Sequence, residues 1–323
     1  MSKITRRTVL AGLSACLAAP AFAKGAWPDR TITLMHGFPP GGPVDVLARI
    51  LAEPIGKQLG QSVVVEPKPG ATGTVAAGLV ARAVPDGYTL LAIPGTYAAT
   101  SAMFRNLPYN PTEDFTFIST TAEAPLVLVT YADSEFHSLA DVVRVARSRG
   151  TPLQYGTAGI GSIMHLTMEL FAKKANIALQ HVPYKGGMPA ITDLLGKRID
   201  LVLDPPTALL RFVKDGKLRA LAVTGADRFG DIPDTPTMAE AGFPGFVVTP
   251  RQGIVAPARL PGDIAGKVNR AIAAALADAG VVAKLKAIGN VPRPSSPDDY
   301  KARVVADIAL WKSVIVDAHV QQI

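Results

Sequence analysis

Two glycine-rich stretches hold the residues through which this chain could do chemistry. In the first, Phe38-Pro39-Pro40-Gly41-Gly42-Pro43 is followed by Asp45 and Arg49; in the second, Ala158-Gly159-Ile160-Gly161 is followed by Ser162 and His165. Each lies between a β-type apolar run and an apolar run at helical spacing, so each predicts the start of a helix. Such a start presents unpaired backbone N–H groups and about half a positive charge, which suits an anion. Asp45 falls in the first helical turn, where a carboxylate caps N–H groups but repels a touching anion. It is read as orienting the loop and its waters. Ser162 and His165, one turn apart, also admit a serine nucleophile with a histidine base. The stretch lacks the sharp strand–turn elbow that activates such a serine, and an N-cap accounts for Ser162.

Other chemistries find less support. There is no HExxH or other cluster of histidines and acids for a metal, no phosphate-loop lysine, and Gly159-x-Gly161 lacks a third glycine. Neither metal nor cofactor is expected. Cys16 is the only cysteine, so disulfides and thiolate metal sites are excluded. The 33 basic residues exceed the 26 acidic ones, but they are spread along the chain without a basic stripe or interleaved aromatics. That balance suits uptake of anions and argues against nucleic acid. Aromatic residues make up 6% of the chain, too few for a sugar-stacking groove.

The elements that must hold the two stretches alternate. Thr31 to Leu34 reads as a strand, and Val44, Leu47, Ala48 and Leu51 as a helix face with Pro43 in its first turn. Strands follow at Ser62 to Glu66 and Tyr88 to Ile93, the latter ending at Pro94-Gly95-Thr96, with the glycine turn Gly70 to Thr74 between them. Leu153 to Thr157 leads into the second loop and a helix from Ser162 to Ala175. Gln180 to Tyr184, Ile199 to Leu203 and Leu218 to Val223 continue the strands, and Leu260 to Leu285 and Pro297 to Val320 close the chain as helices. The alternation predicts an α/β fold with two open, mainly parallel sheets flanked by helices. Its 323 residues exceed the size of one core. We expect a first lobe over 24–124, a second over 125–227, and a return to the first over 228–323 from the Pro-rich run Ile232 to Pro236. Ligands of open α/β sheets sit at the carboxyl ends of strands, where the glycine loops fall.

The first 23 residues read as an export signal. Lys3, Arg6 and Arg7 precede an apolar run that ends in Ala21-Phe22-Ala23, with cleavage before Lys24. Thr5-Arg6-Arg7-Thr8-Val9-Leu10 is twin-arginine-like, without the basic residue that would follow, so the general secretory route stays open. Leu13-Ser14-Ala15-Cys16 resembles a lipoprotein cleavage box, but the apolar run continues past it. No later run reaches the ~20 residues that span a bilayer.

Trp27-Pro28-Asp29-Arg30, Phe38 to Gly42 with Asp45 and Arg49, and Pro85-Asp86-Gly87-Tyr88-Thr89-Leu90-Leu91 occur in order. After them come Leu107-Pro108-Tyr109, Asp114-Phe115, His181-Val182-Pro183-Tyr184-Lys185-Gly186 and Asp193-Leu194-Leu195-Gly196. Leu218 to Thr224 and Pro236-Thr237-Met238-Ala239-Glu240-Ala241-Gly242 complete the series. In this order and spacing the mature chain resembles the extracytoplasmic solute receptors of tripartite tricarboxylate transporters, the Bug family.

The resemblance implies a two-lobed periplasmic binding protein of type II form, a monomer in the periplasm of a Gram-negative-type bacterium. It would close over a small organic carboxylate and deliver it to the permease subunits. One carboxylate would be held by the loop matching Phe38, Pro40, Gly41, Gly42 and Asp45. The other would be held by Ala158, Gly159, Gly161, Ser162 and His165. Thr96, Asp204 and Arg251 complete the expected binding set. Three departures stand out: Pro43 replaces a Ser or Thr common in relatives, Pro250-Arg251-Gln252-Gly253 replaces an aromatic pair before the glycine, and His36 replaces an apolar strand residue. Arg251 could add a bidentate carboxylate contact or lie solvated. A ligand-sensing receptor for a signalling partner, and a hydrolase using Ser162 and His165, are the alternative functions.

Overall fold

The computed structural model describes residues 27–323. The export signal expected over 1–23 lies outside the described residues.

The first lobe opens with β1 (Ile32–His36), in which Ile32, Leu34 and His36 alternate inward. It continues with α1 (Pro43–Leu59), β2 (Val63–Pro67), α2 (Thr74–Ala81), β3 (Thr89–Ile93), α3 (Tyr97–Met103) and β4 (Phe115–Glu123). Pro43 stands in the first turn of α1, where its missing N–H costs nothing, and Gly60 ends that helix in the left-handed conformation. Leu47, Leu51 and Ile55 line the buried stripe between them.

The second lobe comprises β5 (Val127–Tyr131), α4 (Leu139–Ser148), β6 (Leu153–Thr157), α5 (Ile163–Ala175), β7 (Leu179–Pro183), α6 (Gly187–Leu195), β8 (Leu201–Asp204), α7 (Pro206–Lys214) and β9 (Leu218–Val223). The chain then returns through β10 (Arg251–Pro257), α8 (Gly262–Ala277), α9 (Ala279–Ala287), β11 (Val291–Pro292) and α10 (Pro297–Asp317). The run from Leu260 to Leu285 is divided at Asp278, whose carboxylate accepts the Val281 N–H and starts α9.

Six strands form the first sheet in the order β11-β4-β10-β3-β1-β2, and five form the second in the order β7-β6-β8-β5-β9. Among the described residues, parallel pairing between these strands is limited to β1 with β2 and β3, and β6 with β7 and β8. The strands that carry the chain between lobes, β4 and β10 in one sheet and β5 and β9 in the other, pair antiparallel. The sheets are therefore mixed rather than mainly parallel. A strand arriving from the other lobe enters at the end where the βα strands finish, so it runs against them.

The Pro-rich run does not itself turn back. Phe229 and Ile232 pack with Val127, Val129 and Leu209 in the second lobe. Thr237 bridges Val223, and the Val248 N–H donates to the Thr224 carbonyl before β10 takes the chain home. The carboxyl ends of β1 and β3, and those of β6, β7 and β8, define the rims that carry the two glycine loops. Helix α10 packs on α3 and reaches α5 of the other lobe, where Lys173 pairs with Asp317.

Candidate functional site

The loop after β1 is held from beneath by one carboxylate. Asp45, 2% exposed, accepts the Gly41 N–H at 2.9 Å, Arg49 Nε at 2.8 Å and Arg49 Nη2 at 3.0 Å, and meets His36 Nε2 at 2.9 Å. The Arg49 hydrogen bonds first, then the Gly41 N–H and His36, hold this carboxyl well below the usual range against the opposing effect of burial. Asp45 thus closes the loop on itself with its charge already matched. Gly41 has φ +78°, open to glycine without strain. Phe38 lies beside Gly73, where an added Cβ would come 3.1 Å from its ring. Pro39, Pro40 and Gly41 are left exposed at the rim. His36, fully buried, serves the loop from below, as its strand position suggests.

The loop after β6 is tied down by a different set. Ser162 caps α5, its Oγ accepting the His165 N–H at 3.2 Å, and the Ser162 N–H donates to the Gly159 carbonyl. His165 Nδ1 accepts the Gly161 N–H at 3.0 Å, which leaves the proton of the neutral ring on Nε2. The Gly159 N–H donates to Thr157 Oγ1, which also bonds His181 Nε2 at 2.6 Å. His165 and His181 stack with centroids 3.8 Å apart. Burial, and for His165 also the neighbouring His181, pushes both rings down to about 4. His165 is therefore a neutral strut for the loop rather than a cation for the ligand.

This geometry disarms the nucleophile reading. Ser162 Oγ accepts from backbone, and the one free lone pair of the His165 ring is taken by Gly161. Ser162→Ala should lower stability by about 1 kcal/mol, the value of one N-cap. It should leave ester and amide turnover at the parent's background, followed by chromogenic release; a rate that vanishes with the hydroxyl would restore the hydrolase.

The remaining predicted residues spread along both rims. Thr96 begins α3, half-buried, at the carboxyl end of β3. Asp204 ends β8, 5% exposed. Arg251 begins β10 beside Gly95, but its guanidinium turns to Glu123 at 3.2 Å, which Arg293 also grips at 2.8 Å. Glu123, Arg251, Arg293 and Tyr300 line a cavity of about 1140 Å³ that also borders Gly225 to Asp231. Arg251 is thus neither solvated nor free: its charge is engaged by a partner 128 positions away.

Gly161 differs from expectation. Its Cα side does not face open space for an anion; an added Cβ would come 2.5 Å from Met103 Cε at the end of α3. Among the described residues no hydrogen bond or ion pair joins the two glycine loops, and Met103 is where the second loop meets the first lobe. Thr157, Tyr155 and Glu169 are not among the expected site residues, and His181 stands in the sequence only as part of a motif. Tyr155 pairs in register with His181, and its hydroxyl donates to Glu169. Only the pairing of β6 with β7 brings these residues behind the loop.

A family model for the tripartite tricarboxylate transporter family receptor matches residues 47–319. Protein BugT of Bordetella pertussis is 35% identical over 317 residues, which make up 97% of each chain. Among solved structures, a protein of R. palustris determined with adipate gives a TM-score of 0.75 at 36% identity, covering 91% of this chain and 99% of that one. A TctC solute binding protein from Polaromonas determined with no ligand gives 0.82 at 25% identity, covering 90% of this chain and 99% of that one.

Proposed function

Because the chain belongs to the tripartite tricarboxylate transporter receptor family, whose solved members are periplasmic solute-binding proteins, we propose that it captures a small organic carboxylate between its lobes and delivers it to the membrane subunits of such a transporter. One observation carries the ligand class: each lobe brings a glycine loop and a helix start to the facing rim. Both loops are braced from within by side chains, Asp45 in the first and Ser162 with His165 in the second. Recognition then rests on the N–H groups of the helix starts that these internal bonds leave over, and on water, which favour carboxylate without a fixed cation.

Closure of the lobes would bring both loops onto one solute.

The test is thermal unfolding of the exported protein with small mono-, di- and tricarboxylates. A ligand at a hundredfold its Kd stabilises by about 2.7 kcal/mol. For a chain of this size, with about 2.1 cal/mol/K of unfolding entropy per residue, that is a rise in Tm of roughly 4 °C. If no carboxylate raises Tm while an uncharged solute does, the ligand class is wrong.

A further inference from the structure

At the rim of the second lobe one carboxyl oxygen has been left without a donor. Asp204 is 5% exposed, and among the described residues nothing hydrogen-bonds its buried Oδ2. The carboxyl lies over the first residue of α6: an added Cβ on Gly187 would stand 2.0 Å from Oδ2 and 3.1 Å from Oδ1. Gly186, the residue before that helix, caps it with no side chain. The amides of Gly187 and Met188, followed by Pro189 which has none, therefore stand at the helix start with no partner of their own. The second glycine loop adjoins this corner, since an added Cβ on Gly159 would stand 3.4 Å from the Tyr184 carbonyl oxygen. An unsatisfied acceptor and two amide donors thus share one rim.

That pairing of opposites has a chemical complement. A carbon bearing a carboxylate and, next to it, a hydroxyl or ammonium group offers acceptor and donor about 3 Å apart. Deepening the reading above, and resting on it, we propose that this rim selects 2-hydroxy or 2-amino carboxylates. Their carboxylate lies on the amides of the adjoining helix starts and their neighbouring donor satisfies Asp204. A plain carboxylate of the same length leaves Asp204 as it stands in the unliganded protein, buried and unpartnered, so it forgoes one hydrogen bond to a carboxyl group. Burial pushes Asp204 up to about 7, the state expected of a carboxyl that lacks a donor. Gly187 is required at its position because the Asp204 oxygens occupy the space of a side chain.

The experiment measures Kd by calorimetry for three sets of acids of equal skeleton. These are propionate, lactate and alanine; succinate, malate and aspartate; glutarate, 2-hydroxyglutarate and glutamate. In the parent protein the substituted acids of the fitting length should bind about tenfold or more tightly than the plain one, as one hydrogen bond to a charged group implies. In Asp204→Ala that preference should fall to about twofold. Asp204→Asn, which keeps an acceptor but no charge, separates the two donors: a hydroxy acid keeps its preference and an amino acid loses it. Retained far-ultraviolet dichroism and cooperative melting establish that both variants fold. Equal binding of plain and substituted acids to the parent, or a preference that survives Asp204→Ala, would overturn the assignment while leaving carboxylate capture intact. Failure of all nine acids to bind would remove the capture reading, and this assignment with it.

Discussion

Replacing Gly161 with valine is expected to abolish measurable carboxylate binding while the protein still folds. Gly161 has φ +72°, a conformation that costs an L residue about 1–2 kcal/mol and a β-branched one more. The same residue gives its N–H to His165 Nδ1, so strain here is transmitted to the ring that holds the loop. A Cβ would also stand 2.5 Å from Met103 Cε and 2.9 Å from Met103 Sδ. Met103 is 2% exposed, yet its thioether is the flexible end of a chain and can move. The backbone strain therefore outweighs the collision. Three variants separate the two causes. Gly161→Val should give no calorimetric signal at a ligand concentration about a hundredfold the parent's Kd. Gly161→Val with Met103→Ala should remain silent if φ is the cause and recover if the collision is. Gly161→Asn, a residue that tolerates the left-handed region, should keep part of the affinity. Binding by Gly161→Val within about threefold of the parent would show that this backbone does not shape the anion loop.

Both loops were legible because their signals are local. Pro43 and Ser162 mark helix starts through properties of a single residue, a fixed φ and a hydroxyl acceptor, and the structure uses them so. The α/β alternation is local too, and it gave the strands and most helices. What depends on a distant partner could not be read. The direction of β4, β5, β9 and β10 follows from the chain's passage between lobes, which no periodicity encodes. The same holds for Arg251, whose role turns on Glu123, and for His165, whose ring is held neutral first by burial and then by the His181 ring stacked on it. Asp204 belonged to the expected binding set; that its Oδ2 lacks a donor is a property of packing alone.

Asp45→Asn should loosen the first loop and remove one limb of the acid unfolding curve. The carboxylate joins four donors: the Gly41 N–H, two Arg49 nitrogens and His36. An amide of the same shape cannot accept from all of them, and its NH2 group faces donors. With Asp45 3% exposed but Arg49 55% exposed along its side chain, the cost falls at the low end for a broken buried pair, about 3 kcal/mol. The pH dependence identifies the cause. Asp45 is held below its ordinary 3.8, so its stabilisation is present above about that pH and is lost as pH falls further. His165 and His181 act in a separate window. Each is pushed from 6.5 down to about 4, so the unfolded chain takes up protons first and stability declines as pH drops between those values. Urea unfolding from pH 8 to pH 2 should therefore show two declines in the parent. In Asp45→Asn the curve should lie lower at neutral pH, keep the histidine decline, and be flatter below about pH 4. A variant that kept the full acid decline would place the responsible carboxylate elsewhere. One as stable as the parent at pH 7 would mean that Gly41 and Arg49 find water as good a partner as Asp45.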